Sequence, residues 1–374
     1  MSNTRDLKEQ IVKVPFGLSR EVIQQKIIPL AADTKDDNHI KATREMAKLS
    51  ITCKPFHAFF QPEVDKRKLL IAVLLGYEKE AVFIAKRNPE LFFIKATAND
   101  YAMDLEGNCR TIEDWSPYQA MFGTMDGKML QETMPFLDIY LNTITNGQAL
   151  ARKQREEKFP NGLNYPPSEY DFMPLIQIID NDHSLIESGK PSSDTLKALD
   201  KFRLDFKPDN VKIGHHFNMN HFIKIHHIYD NIWQKWSRNQ YQHLFFEKFV
   251  FGFFNRLLTA PYLQRACQGI CTNEYPQLQR GFEIMNNSTG QINSVVPFDK
   301  DPHSRLGENC FIIPYISLTG PSLSYNYCMG WGPGGGDLGS GTRSWEMILR
   351  EDYNLINKNF NPNIQNILSI KMSL

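Results

Sequence analysis

Residues 65–89, DKRKLLIAVLLGYEKEAVFIAKRNP, constrain the fold more than any other stretch. Asp65 is suited to cap a helix that begins near Lys66. Leu69 to Leu75 is apolar without a break, so this helix is expected to be covered on both sides. Gly76 stops it. A second helix follows from about Glu78 to Arg87, carrying Ala81, Val82 and Ile84, and Asn88-Pro89 ends it. Two short helices across a glycine turn make a helical hairpin, and a hairpin this short must stack on something to bury its apolar face.

A second hairpin of the same kind is legible downstream. Ser116 is a good helix cap, and Pro117 fits the first helical position, where its missing N–H costs nothing. Tyr118, Met121, Phe122, Met125 and Met129 follow at helical spacing. Asp126-Gly127 reads as the turn, and 128–145 as a partner helix bent at Pro135. Aligning Arg67-Lys68-Leu69-Leu70-Ile71-Ala72 with Ser116-Pro117-Tyr118-Gln119-Ala120-Met121 places Met125 where the first unit has Gly76. The units then lie 49 residues apart in the sequence, longer than the ankyrin period of about 33. The excess is 92–112, which contains a turn signal at Gly107-Asn108. The expectation is two stacked hairpins, 66–87 and 116–145, with 92–112 projecting between them. Upstream, helices are expected over 19–33 and 39–49. The aromatic patch of ITCKPFHAFFQPEV, bounded by Pro55 and Pro62, reads as a strand or a docked loop.

The segment 151–169, ARKQREEKFPNGLNYPPSE, shifts to charge and then to Pro, Gly and Asn, and is expected to be a linker. It would divide the 374 residues into a helical module over 1–150 and a helical domain over 170–374. In the latter, helices are expected over 167–187, after a cap at Ser193 or Asp194, over 218–236, over 245–258 and over 262–272. The 218–236 helix carries the stripe Phe222, Ile225, Tyr229, Ile232, Trp233 and Trp236. Near the end, Leu323, Tyr325, Tyr327, Met329 and Trp331 alternate with small or polar residues, which is a strand pattern. Cys310 to Leu318 is its expected partner, giving a β-hairpin over 310–331. A glycine loop over 330–341 then leads to a helix containing Trp345, Ile348 and Leu349. The expected fold class is therefore mainly α: ankyrin-like helical hairpins, then a helical domain with a small C-terminal β-hairpin.

Composition narrows the function classes. Basic and acidic residues number 42 each, so there is no overall basic footprint for nucleic acid. No apolar run approaches the roughly 18 residues of a membrane helix, so no transmembrane segment is expected. The N-terminal MSNTRDLKEQ lacks the apolar core of a secretory signal. Six scattered cysteines read as reduced thiols in a cytosolic compartment.

Candidate chemistry is sparse. Six of the ten histidines fall between 215 and 243, without the i, i+4 pairing of a helical metal site. His221 and His226 flank the apolar stripe of the 218–236 helix, His227 points away from it, and His226 can reach Asp230 as a surface pair. Cys267 and Cys271 share a helix face but lack a second pair, so neither metal nor cofactor is expected. A thiol nucleophile needs a nearby base. Cys310 has His303 upstream; Cys109 has no histidine close in sequence. The loop GWGPGGGDLGSGTRSWE has Thr342 where a phosphate-binding loop needs Lys, and reads as a connection.

Two stretches carry a family resemblance. NPELFFIKATANDYAMDLEGNCRTIEDWSPYQAMFGTMDGKM and FVFGFFNRLLTAPYLQRACQGICTNEYPQLQRGFEI resemble ankyrin-related effector proteins of Legionella-like intracellular bacteria. In these a helix ending Asn-Pro-Glu-Leu precedes a hairpin with Asp and Gly, and an Ala-Gln-x-Cys-Gln-Gly helix follows later. Here Asn255 and Arg265 depart from the second pattern. The resemblance implies a scaffold made in the bacterial cytosol and delivered to the host cytoplasm. No catalytic residue carries over. The function it implies is binding a host protein, with Asp104, Glu106, Asn108, Arg110 and Trp115 near the hairpin tip as the expected contacts. The alternative is a cysteine-dependent hydrolase or transferase acting on a host protein.

Overall fold

The structure, a computed structural model, describes residues 48, 54–103, 109–236, 240–268, 278, 280, 283–285, 292–294 and 340–360. The helices expected over 19–33 and 39–49, the β-hairpin over 310–331 and the glycine loop ahead of 340 lie outside the described residues, except for the single helical residue Lys48.

The described residues are mostly helical, with two small two-stranded antiparallel sheets. Helix α1 (Lys54–Leu74) starts a dozen residues before the expected Lys66. The patch between Pro55 and Pro62 is its first half, neither strand nor loop. Pro62 lies inside the helix on its exposed side, the side where losing a backbone hydrogen bond costs least. Asp65 is therefore no cap; it accepts a hydrogen bond from Gln61 at 2.6 Å. Helix α2 (Glu78–Arg87) follows the glycine turn, and a 3-10 turn (Pro89–Phe93) leads to the strands β1 (Ala96–Met103) and β2 (Cys109–Trp115). Helix α3 (Pro117–Gly123) opens on Ser116. The Ser116 hydroxyl accepts from the Gln119 amide N–H, and the Gln119 side chain accepts from the Ser116 N–H, which closes a capping box. Helix α4 (Gly127–Thr143) runs on through Pro135.

The two helix–turn–helix units share one turn, bond for bond. In the first, the N–H groups of Leu75, Gly76, Tyr77 and Glu78 donate to Ile71, Val73, Ala72 and Gly76. In the second, those of Thr124, Met125, Asp126 and Gly127 donate to Ala120, Phe122, Met121 and Met125. Every donor and acceptor is displaced by the same 49 residues, and the left-handed residue is Gly76 at φ 72° in one and Met125 at φ 57° in the other. This is a Schellman-type stop. Glycine adopts it freely; a methionine there costs about 1 kcal/mol or more, and burial of its side chain offsets that. The units stack in parallel, α1 on α3 and α2 on α4. Glu78 lies beside Lys128 and Lys86 over the ring of Phe136, fifty residues apart in each case.

The described part of the insertion, 92–103 and 109–112, is packed against the units rather than projecting. Strands β1 and β2 pair antiparallel, with Ala98 opposite Ile112 and Met103 opposite Cys109, and β1 lies against α1. Ala96, Ala98 and Ala102 alternate onto the buried face, where their small side chains let helices approach the strand closely. Val211 adds a one-residue parallel bridge to the free side of β2, donating to Thr111 O at 2.8 Å and accepting from the Glu113 N–H at 3.0 Å.

The expected linker is likewise structured. Helix α5 (Gly147–Lys158) occupies its first half, and Ala151, Gln154, Arg155, Lys158, Phe159 and Leu163 are buried. Its polar residues have buried partners: Gln154 donates to Phe93 O and accepts from the Ser116 hydroxyl, both at 2.7 Å, and Arg155 bonds the Tyr118 hydroxyl. Arg155 and Lys158 of the charged run thus turn inward while Arg152, Lys153, Glu156 and Glu157 are exposed, and among the described residues one apolar cluster includes both Leu69 and Ile356.

Beyond it come α6 (Met173–Asp180) and α7 (His183–Ser188), where one long helix was expected over 167–187, and then α8 (Ser193–Asp205), the separate helix expected after 193. Asp182 breaks it by capping α7, and Ser192 rather than Ser193 caps α8. Helix α9 (Met219–Trp236) buries Phe222, Ile225, Tyr229 and Trp236, as its stripe requires. The following apolar stretch is α10 (Gln240–Phe246), a π-helical turn (Glu247–Phe251) and α11 (Gly252–Leu257), then α12 (Ala260–Gln268). Short strands β3 (Glu283–Met285) and β4 (Ile292–Ser294) pair with each other. Helix α13 (Ser340–Phe360) closes the described chain, with Trp345 edge-on to Phe222 at 5.1 Å.

Candidate functional site

Of the five residues expected at the hairpin tip, Asp104, Glu106 and Asn108 lie outside the described residues. Arg110 and Trp115 are buried and are not surface contacts. Strand alternation turns Arg110 and Ile112 inward. Asp114 then adopts a left-handed backbone at φ 54°, which Asp tolerates better than most residues, and this shift returns Trp115 to the buried side. Arg110 Nε donates to Asp100 Oδ2 at 2.8 Å, Nη2 lies 2.7 Å from the same oxygen as an ion pair, and Nη1 donates to the carbonyl of His216. The Trp115 indole N–H donates to Val211 O at 3.1 Å. A bulge of this kind leaves little sequence signal, because an exposed Asp before Trp reads equally well as a tip.

Among the described residues, His216, His226 and His243 are buried. His216 is buried, and neither ring nitrogen has a hydrogen-bond partner among the described residues. Its ring meets the Trp115 indole edge-on at 4.9 Å and abuts Gly123. Burial holds it well below the ordinary imidazole range, with Arg110 and His215 adding to the effect. Burial takes His215 down to about 4, partly offset by the carbonyls of Leu163 and Phe122. His226 forms no surface pair: it is buried between Phe222 and Phe251, at 4.5 and 4.4 Å, and burial lowers it to about 3. His227 does face outward, and contacts Glu346 at 2.9 Å. Among the described residues, no three His, Cys, Asp or Glu are grouped to hold a metal ion.

Two further polar clusters were not anticipated. At the π-helical turn the Tyr229 hydroxyl donates to Glu247 and lies 3.0 Å from His243 Nδ1. Burial lowers His243 to about 4. The second cluster joins the two repeated turns. Arg280 donates to both oxygens of the fully buried Asp126 at 2.6 and 2.8 Å, to Glu78 at 2.8 Å and to Gln264 at 3.3 Å. Burial opposes its charge, but Asp126 and Glu78 more than offset this and raise its pKa. Lys128 reaches the same place and donates to Leu278 O at 3.1 Å. Among the cysteines, Cys109 is half-buried at the first residue of β2, and Cys267 lies on α12. Cys53, Cys271, Cys310 and Cys328 lie outside the described residues.

The outer side of the stacked second helices is different in character. Phe83 on α2 is 53% exposed and Ile139 on α4 is 65% exposed. Between them Lys86 lies over the Phe136 ring at 5.1 Å, and Arg87 lies over Phe83 at 4.3 Å. Tyr77 at the first turn and Ile94 after the 3-10 turn are also exposed. Apolar side chains flanked by cations, on adjacent helices, are suited to contacting another protein. No protein-family model matches the chain, and no curated protein or solved structure does.

Proposed function

We propose that this chain is a host-directed effector that acts as a protein-binding scaffold through an ankyrin-like surface. The observation that carries this reading is the pair of equivalent helix–turn–helix units stacked in parallel, with Phe83 and Ile139 exposed on their second helices. Tandem stacking of one supersecondary unit builds an extended face from repeated positions, which is how repeat proteins present binding surfaces. Phe83, Phe136 and Ile139 supply the apolar anchor, and Lys86 and Arg87 the polar rim. Asp104, Glu106 and Asn108 of the hairpin turn belong to the same proposal, and host cytoplasm is the proposed place of action. A photo-crosslinking amino acid at position 83 or 139, used in host-cell extract, tests it. One recurrent protein captured from both positions, and not from position 204 on α8, supports the reading. Equal labelling from all three positions overturns it.

A further inference from the structure

We propose that His215 and His216 form an acid-released latch that holds residues 211–217 against the β1–β2 hairpin. The segment is fastened at each end. Val211 bridges β2 through two backbone bonds and accepts the Trp115 indole N–H. Gly214 N–H donates to Lys158 O at 2.7 Å, and His216 N–H donates to Gly123 O at 3.0 Å. His216 therefore joins three elements: β2 through Arg110 and Trp115, α3 through Gly123, and the segment itself.

The charges around this ring decide what a proton does there. From β2, Arg110 bonds the His216 carbonyl, and its charge is already matched by Asp100 of β1. From α5, Lys158 lies over the Trp115 ring at 5.1 Å and donates to the carbonyls of Lys212 and Glu113. His215 stacks on Tyr165, 4.0 Å between centroids, and meets the carbonyl of Leu163. Among the described residues, no carboxylate is placed to pair with a protonated His216, and neither of its nitrogens has a partner. A proton on His216 adds a buried charge beside Arg110, in a place that Gly123 leaves no room to rearrange, and one on His215 is buried with only the carbonyls of Leu163 and Phe122 to receive it. Opening the segment rehydrates both rings, so acid favours the open form. Burial raises the Asp100 carboxyl, so its protonation works in the opposite sense, one group against two.

Hydrogen exchange on the full chain, corrected for the intrinsic pH dependence of exchange, tests this. Between pH 7 and pH 5, amides in 109–115 and 211–217 should gain exchange together by at least about a hundredfold, because one histidine lowered from 6.5 to about 4 supplies roughly twentyfold and two act together. Amides in α6 and α8, which exchange when the whole fold opens, should exchange more slowly than both segments throughout this interval, even as acid weakens the fold. Opening should take up at least one proton, read as the slope of its equilibrium constant against pH. His216→Phe, which keeps the ring and removes the titration, should lose most of the rise. No rise, exchange in the two segments no faster than in α6 and α8, a slope below one, or an undiminished rise in H216F overturns the latch. If H216F does not fold, the locality and the slope measured on the unaltered chain decide alone.

Discussion

Replacing Asp126 by alanine removes two interactions made by one carboxylate. Its Oδ1 accepts the Met129 N–H at 2.9 Å and so caps α4, and both oxygens hold Arg280. Loss of a cap costs about 1 kcal/mol. Stranding one partner of a buried ion pair costs about 3–5 kcal/mol, here reduced because Glu78 still neutralises Arg280. The expected destabilisation of Asp126→Ala is therefore about 3–4 kcal/mol. Asp126→Asn keeps a capping oxygen and loses the charge, so about 1.5–2 kcal/mol is expected from the weakened charged hydrogen bonds. Urea melts of D126N, Arg280→Met and the double variant give the coupling directly, and it should exceed about 1 kcal/mol. Tyr77 holds the matching place in the first turn, without a capping role and largely exposed, so Tyr77→Ala should stay within about 0.5 kcal/mol. A D126A cost below about 1 kcal/mol, or a coupling near zero, would refute the view that Arg280 fastens the second turn.

Three further outcomes follow from the packing. Between pH 7 and pH 5 the fold should lose about 4–6 kcal/mol, because His215, His226 and His243 stay neutral when folded but bind protons below about 6.5 when unfolded; chemical melts at the two pH values measure it. Phe202→Ala should cost about 3–5 kcal/mol and Leu204→Ala under about 0.5, since Phe202 packs on Phe253 and Phe254 while Leu204 is 70% exposed; thermal melts separate them. Gly123→Ala places a methyl 2.4 Å from His216 Nε2, and should cost about 1–3 kcal/mol in the same assay despite alanine's better helix propensity.

Helix punctuation was the most legible part of this sequence. Ser116-Pro117, Gly76 and Asp126-Gly127 act through local backbone chemistry, so they mark boundaries wherever the segment ends up. The alignment of Gly76 with Met125 also located the repeated turn, although methionine hides the left-handed conformation. What failed depended on distant partners. Arg155 and Lys158 look like a solvated charge run until Tyr118 and the carbonyls of Glu113 and Lys212 are brought to them. The 92–112 insertion looks like a projecting loop because Ala96, Ala98 and Ala102 are weakly apolar, and only the helix against them makes smallness an advantage. Arg110 was picked out for its charge, but Asp100, ten residues earlier, turns that charge inward.

The scaffold reading is tested most directly by affinity for the partner captured at position 83. Phe83→Glu combined with Ile139→Glu should weaken that complex at least about thirtyfold, equivalent to about 2 kcal/mol, with the melting curve unchanged because both side chains already face solvent. Leu204→Glu, on the exposed side of α8, should leave the affinity unaltered. An affinity unchanged by the double substitution, or lost equally in L204E, would contradict binding through the stacked second helices.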